Sequence, residues 1–119
     1  MKKMIYSTLV LGALITTVSS CKKANLTRDQ WKITNATDLE DNSNITSDYA
    51  GEVWEYQKDG NYVENNSVKG TWAWGDGKDK LIITETDGTV DTYNVLELKK
   101  NEMELEIPGE ERLELERIQ

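Results

Sequence analysis

From Trp31 onward, hydrophobic and polar residues alternate with a period of two, and turn dipeptides break the alternation at short intervals. Trp31 and Ile33 alternate with Lys32 and Thr34, and Trp54 and Tyr56 with Glu55 and Gln57. Gly70, Trp72 and Trp74 share one parity, with Thr71 and Ala73 on the other. Met103, Leu105 and Ile107 alternate with Glu102, Glu104 and Glu106. Successive side chains of a strand point to opposite faces, so this pattern predicts half-buried strands. No helical period holds after Cys21. Asp59-Gly60, Asp76-Gly77, Asp87-Gly88, Lys100-Asn101 and Pro108-Gly109 punctuate the runs as turns. The reading gives eight strands, at about 26–34, 51–57, 61–65, 68–74, 80–86, 89–98, 102–107 and 111–118. Tyr93 and Val95 have one parity and Leu96 and Leu98 the other, which calls for a bulge near Leu96–Glu97.

Most of the predicted connections are of hairpin length, so the strands form an antiparallel meander. Eight twisted strands, each with one apolar face, bury those faces by closing into an up-and-down barrel, which also removes both sheet edges. The charged parity faces outward, the reverse of an outer-membrane barrel. Two stretches break the rhythm: a long polar connection over Asn35–Ala50 and a shorter one over Asn65–Lys69.

The first twenty residues follow a different pattern. Met1-Lys2-Lys3 is positive, Met4 to about Ile15 is apolar, and small residues lead to Val18-Ser19-Ser20-Cys21. This is the anatomy of a secretory signal, too short to span a bilayer comfortably, which takes about 20 residues. The run before Cys21 resembles a bacterial lipobox, in which the thiol after the cleaved bond carries a diacylglyceryl group. The single Cys of the chain falls at the position this motif requires. The expected organisation is a lipoprotein signal peptide over 1–20, a lipidated linker over 21–25 and a barrel domain over 26–119. Acyl chains contribute about 0.8 kcal/mol per buried CH₂, so several of them make a stable anchor. Lys22-Lys23-Ala24-Asn25 follow the Cys; in the Bacteroidota lipoproteins that this segment resembles, export to the cell surface goes with acids at that place, so the resemblance implies an outer-membrane anchor facing the periplasm.

Composition narrows the function classes. With no His and one Cys, a Ser-His-Asp or Cys-His centre, a His-ligated metal, a zinc cluster and an intrachain disulfide are all excluded. The net charge is −8, and more negative once Lys2 and Lys3 leave with the signal. Nucleic-acid binding needs a basic stripe, and Lys22–Lys23 and Lys99–Lys100 are only isolated pairs.

These residues together resemble a family. Trp31-Lys32-Ile33, Trp54-x-Tyr56, Asp59-Gly60-x-Tyr62, Gly70-x-Trp72-x-Trp74, Leu81-x-Ile83 and Tyr93-x-Val95-x-x-Leu98 leading to Met103-x-Leu105 are similar, in order and spacing, to the small lipocalin-like domains of Bacteroidota lipoproteins. Such domains often begin Leu-x-Gly-x-Trp. Here Asp29 stands where that Gly would be, and Leu26 is one residue further from Trp31. The resemblance implies a barrel with room for a small molecule and names no substrate.

Three constellations could carry chemistry. Trp31, Trp54, Tyr56, Tyr62, Trp72, Trp74 and Tyr93 fall mostly on the inferred inner face. They either fill the lumen, since eight short strands are just wide enough for their own side chains, or line a cavity for an apolar or planar ligand. An inward Gly70 leaves room for the second reading. Asp38, Glu40, Asp41, Asn42 and Asn44 have oxygens at calcium-like spacing but lack the Gly and distal Glu of a calcium loop, so no metal is expected. The glutamates at 102, 104, 106, 110, 111, 114 and 116 form an acidic outer stripe that discourages edge pairing or docks a basic partner. The expected function is therefore non-enzymatic and cofactor-free: envelope binding of a small apolar ligand. The alternative is a protein-binding module of the lysozyme-inhibitor kind.

Overall fold

The computed structural model describes residues 22–118. The signal peptide expected over 1–20 and the lipidation site at Cys21 lie outside them. Eight antiparallel strands follow in chain order and close into a barrel. They are β1 (Trp31–Asp38), β2 (Val53–Tyr56), β3 (Asn61–Glu64), β4 (Ser67–Gly75), β5 (Lys80–Glu85), β6 (Val90–Leu98), β7 (Glu102–Ile107) and β8 (Glu111–Arg117). Closure is made by β1 and β8, which pair from Trp31↔Arg117 to Asp38↔Glu111. All eight expected strands form. The bulge expected near Leu96 is present, with a register shift between Val95 and Glu97 that leaves Leu96 exposed.

The start of the chain differs from expectation. Residues 22–27 are helical rather than a linker running into a strand at 26, and β1 begins at Trp31. Leu26 ends this helix fully buried, and its carbonyl accepts a hydrogen bond from Trp31 Nε1 at 3.0 Å. Burying a leucine contributes about 1.5–3 kcal/mol, which holds so short a helix in place. At its other end β1 continues to Asp38, into the region read as a loop. Segment 43–46 pairs there in place of β2. Ile45 N–H donates to the Ala36 carbonyl at 2.9 Å, and Ala36 N–H donates to Thr46 Oγ1 at 2.9 Å. Consequently β2 meets β1 at only two positions, Trp31↔Trp54 and Lys32↔Val53.

The second expected loop, 65–69, is instead a two-residue turn. Asn65 and Asn66 both adopt positive φ, 49° and 67°, the conformation that joins strands of right-handed twist. Asparagine tolerates this region because its short side chain bonds locally. Here Asn65 Oδ1 accepts from Val53 N–H at 2.8 Å.

An up-and-down meander puts alternate turns at opposite ends of the barrel. The base holds the helix over 22–27, the turns at 57–60, 75–80 and 99–101, and the end of β8. The mouth holds the 39–52 connection and the turns at 65–66, 86–89 and 108–110. Trp31, Leu81, Met103, Leu105, Leu113 and Leu115 fill the lumen between them, each no more than 2% exposed. At the base, Arg117 lies buried with its guanidinium 5.8 Å from the Trp31 ring centre, and its Nε donates to Asn101 Oδ1 at 3.2 Å. Lys22 on the helix pairs with Asp79 at 3.4 Å.

Candidate functional site

The seven aromatic residues singled out by alternation fall into three groups. Trp31 is fully buried at the base under Leu26. Tyr56, Trp72 and Trp74 form a second group, with edge-on contacts of 6.3 Å between Tyr56 and Trp72 and 5.7 Å between Trp72 and Trp74. Trp72 Nε1 donates to the Gln57 carbonyl at 2.7 Å, which ties this group to a base turn. Trp54, Tyr62 and Tyr93 form a third group, joined to the second by Tyr56, which stands opposite Tyr62 in the β2–β3 pairing with the ring centres 5.5 Å apart. Trp54 is their hub, 6.2 Å from Tyr62 and 6.4 Å from Tyr93. A fourth ring, Tyr49, approaches Trp54 edge-on at 6.1 Å from the mouth connection.

Gly70 does not open space, contrary to the sequence reading. A Cβ built on it would lie 2.0 Å from the Thr84 carbonyl oxygen and 2.8 Å from Glu85 Cα. Glycine is required there because the backbones of β4 and β5 approach closely. The lower lumen is filled, and around Trp54 the rings that reach the surface are the half-buried Tyr49 and Tyr93.

The mouth also carries carboxylates that alternation alone places inward. Glu64 follows Tyr62 by two positions on β3, Glu85 follows Ile83 on β5, Asp91 precedes Tyr93 on β6, and Glu111 precedes Leu113 on β8. Glu52 joins them just before β2. All five are half-buried. Glu111 therefore leaves the outer stripe to which the sequence reading assigned it. Three of the five accept hydrogen bonds from the aromatic cluster. The Tyr49 hydroxyl donates to Glu111 at 2.6 Å, the Tyr62 hydroxyl to Glu64 at 2.7 Å, and Trp54 Nε1 to Glu52 at 2.9 Å.

The electrostatics follow from this crowding. Burial raises the Tyr49 phenol well above its ordinary value, and Glu111 adds to the effect. Burial does the same for Tyr62, with Tyr56 and Glu64 adding to it. For Tyr93 burial is again the largest cause, followed by Asp91, Glu111, Glu64 and Glu85. These phenols stay protonated and can only donate to the neighbouring carboxylates. The Glu85 carboxyl is held above the usual range by partial desolvation, then by Asp87, Asp91 and Glu64. Among the described residues, none of the five carboxylates has a Lys or Arg partner.

The polar connection after β1 spends its oxygens on its own backbone. Asp38 accepts from Glu40 N–H at 2.8 Å, Asp41 from Ser43 N–H at 2.9 Å, and Asn44 from Thr46 N–H at 2.9 Å. Among the described residues no three Asp, Glu, Cys or His side chains converge well enough to hold a metal ion.

On the outer face, Glu102 stands opposite Glu116 and Glu104 opposite Glu114 across β7 and β8. Arg112 meets this stripe from β8, 2.8 Å from Glu106 and 3.7 Å from Glu104.

No protein-family model matches the chain, and no curated protein matches it. Among solved structures it is similar to a lipocalin-like protein from Bacteroides uniformis ATCC 8492. The TM-score is 0.61 at 12% identity, over 79% of this chain and 99% of that one. At that identity the likeness speaks to architecture, and it agrees with the strand order and closure above: the fold is a lipocalin-like, eight-stranded antiparallel barrel.

Proposed function

We propose that this protein is a lipid-anchored envelope lipoprotein, held by Cys21 in an outer membrane and facing the periplasm, that binds a small ligand with an apolar body at the mouth of its barrel. It acts as a binder and catalyses no reaction. The observation that carries the reading is the cluster of Tyr49, Trp54, Tyr62 and Tyr93 at the barrel end opposite the helix. Apolar walls with a few converging polar groups are the usual make-up of a small-molecule site. The site proposed here is shallower than the whole lumen, because Trp31 belongs to the filled base. Titrating small aromatic compounds against Trp fluorescence tests it. Saturable change that is lost in Trp54→Leu supports the reading, and no change with any probe removes it. Mass spectrometry of the native protein tests the anchor, with an acylated Cys21 at the mature N-terminus as the expected result.

A second reading rests on the outer face. The facing pairs Glu102↔Glu116 and Glu104↔Glu114 place like charges directly opposite, which costs stability in the free barrel. A basic protein docked on this stripe would relieve that repulsion, as in the lysozyme-inhibitor type of module. Inhibition of lysozyme at low salt that fades as salt rises is the expected outcome of that reading.

A further inference from the structure

We infer that the ligand of the barrel mouth is an organic ammonium compound, recognised through its positive charge by the inward carboxylates and through its apolar body by the rings around Trp54. The inference rests on the ligand-binding reading above and specifies the chemistry of that same site.

Two independent observations meet here. The first is that Glu52, Glu64 and Glu111 are oriented by an indole and two phenols, of which Tyr49 is half-buried while Trp54 and Tyr62 are each only 3% exposed. A carboxylate that accepts from a ring at its own flank is fixed in place, and its remaining lone pairs stay available to a further donor. Rings beside fixed anions suit a cation that is partly desolvated, because the ring face and the carboxylate attract it together. The second observation is the Tyr56 hydroxyl. It is fully buried, it has no hydrogen-bond partner among the described residues, and its ring lies 5.5 Å from that of Tyr62, whose own hydroxyl donates to Glu64. A buried polar group is normally satisfied, and one that is not marks a place where a further donor or acceptor belongs.

The spread of the carboxylates selects the kind of cation. They come from four strands and the segment before β2, and no three of them converge on a point. A small metal ion needs several oxygens at one centre. An organic ammonium group needs only one or two carboxylates, with its apolar part on the rings. Neutral and anionic ligands fit less well. Among the described residues no cationic side chain pairs with these acids, so an anion would meet repulsion, and a neutral ligand would leave the carboxylates uncompensated.

The test uses three probes of nearly the same shape: phenethylammonium, 2-phenylethanol and phenylacetate. Each is titrated against the Trp fluorescence of residues 22–119 expressed as a soluble chain, with circular dichroism confirming the barrel. The expected result is that the ammonium binds at least about tenfold tighter than the alcohol and that the acid does not bind. In the double variant Glu64→Gln/Glu111→Gln, the ammonium should fall to the affinity of the alcohol, while the alcohol itself is little changed. Equal affinity for ammonium and alcohol, or an unchanged preference in a folded double variant, overturns the inference and leaves the ligand-binding reading standing. If none of the three binds to the folded domain, the ligand-binding reading falls, and the inference falls with it.

Discussion

At the base of the barrel a one-turn helix lays Leu26 over Trp31, Arg117 stacks on the same indole, and Lys22 pairs with Asp79. At the mouth a tyrosine from a connection and three rings from the strands gather around Glu52, Glu64 and Glu111, and no cation joins them. The turns differ in composition too. Lys58, Lys78, Lys99 and Lys100 share the base turns with Asp59, Asp76 and Asp79, whereas the mouth turns carry Glu40, Asp41, Asp48, Asp87 and Glu110 and no lysine or arginine. The base is stabilised by its large apolar burial, while the buried Arg117 has no acidic partner among the described residues and leaves both terminal nitrogens without a hydrogen bond. At the mouth, uncompensated half-buried carboxylates oppose folding, because each has lost part of its hydration without gaining a counter-charge. The comparison therefore assigns folding to the base and recognition to the mouth, and substitutions at the two ends should separate the two.

The largest effect is expected at the base. Trp31→Ala removes a fully buried indole and leaves the Leu26 carbonyl without its donor. Urea unfolding should show a loss of about 3–5 kcal/mol. Ligand affinity measured on the fraction still folded should be nearly unchanged. A loss below about 1 kcal/mol would mean that the helix and Trp31 do not close the barrel as described. Next comes Gly70→Ala, expected to cost about 1–3 kcal/mol, because the added methyl meets the backbone of β5 rather than a movable side chain. If this variant were instead neutral, the two strands would have slack, and space above Gly70 could return as part of a site.

Tyr49→Phe acts at the mouth and should cost about 1 kcal/mol or less in stability, since it deletes one partly exposed hydrogen bond. Its effect on binding of a cationic probe should be larger in proportion, because Glu111 loses the phenol that fixes it. A variant that loses stability without losing affinity would move Tyr49 from recognition to packing and weaken the contrast between the ends.

Much of the base and lumen was legible in the sequence because period-two alternation reports burial directly. Trp54, Tyr56, Tyr62, Trp72, Leu81, Ile83, Met103, Leu105, Leu113 and Leu115 are all buried at the parity the pattern assigned. The helix over 22–27 was not legible: one turn is too short for a helical period to register, and what holds it is tertiary burial of Leu26. Likewise, β1 runs to Asp38 because β8 and segment 43–46 supply partners from far along the chain. The Asn65–Asn66 turn was missed because two asparagines after a glutamate look like loop composition, whereas both fit the left-handed region that a hairpin needs. The aromatic half of the candidate site could be read, and its carboxylate half could have been. Glu64, Glu85, Asp91 and Glu111 each share parity with a buried neighbour two positions away. An inward-parity carboxylate at the same end of several strands is the signal, and it was hidden by a composition in which acids are common everywhere.

The smallest expected effect concerns Glu85, and its sign is diagnostic. Its carboxyl binds a proton more tightly in the folded barrel than at its ordinary value of 4.5, because it is partly desolvated and faces Asp87, Asp91 and Glu64. The folded state therefore holds more protons than the unfolded chain between that value and the raised one, and stability falls as pH rises through this window. At neutral pH the ionised Glu85 opposes folding. Glu85→Gln should then be slightly more stable than the parent at pH 7, and the two should converge as pH drops below the ordinary glutamate value. Added salt should narrow the gap at pH 7, since half-exposed like charges are screened. A saturating ammonium ligand should narrow it further, because a bound cation supplies the charge that the mouth lacks. If Glu85→Gln were instead destabilising at pH 7, the carboxylate would have a favourable partner in the folded state. The mouth would then not be short of positive charge, and the division of labour between the two ends would fail at the residue where it predicts the subtlest consequence.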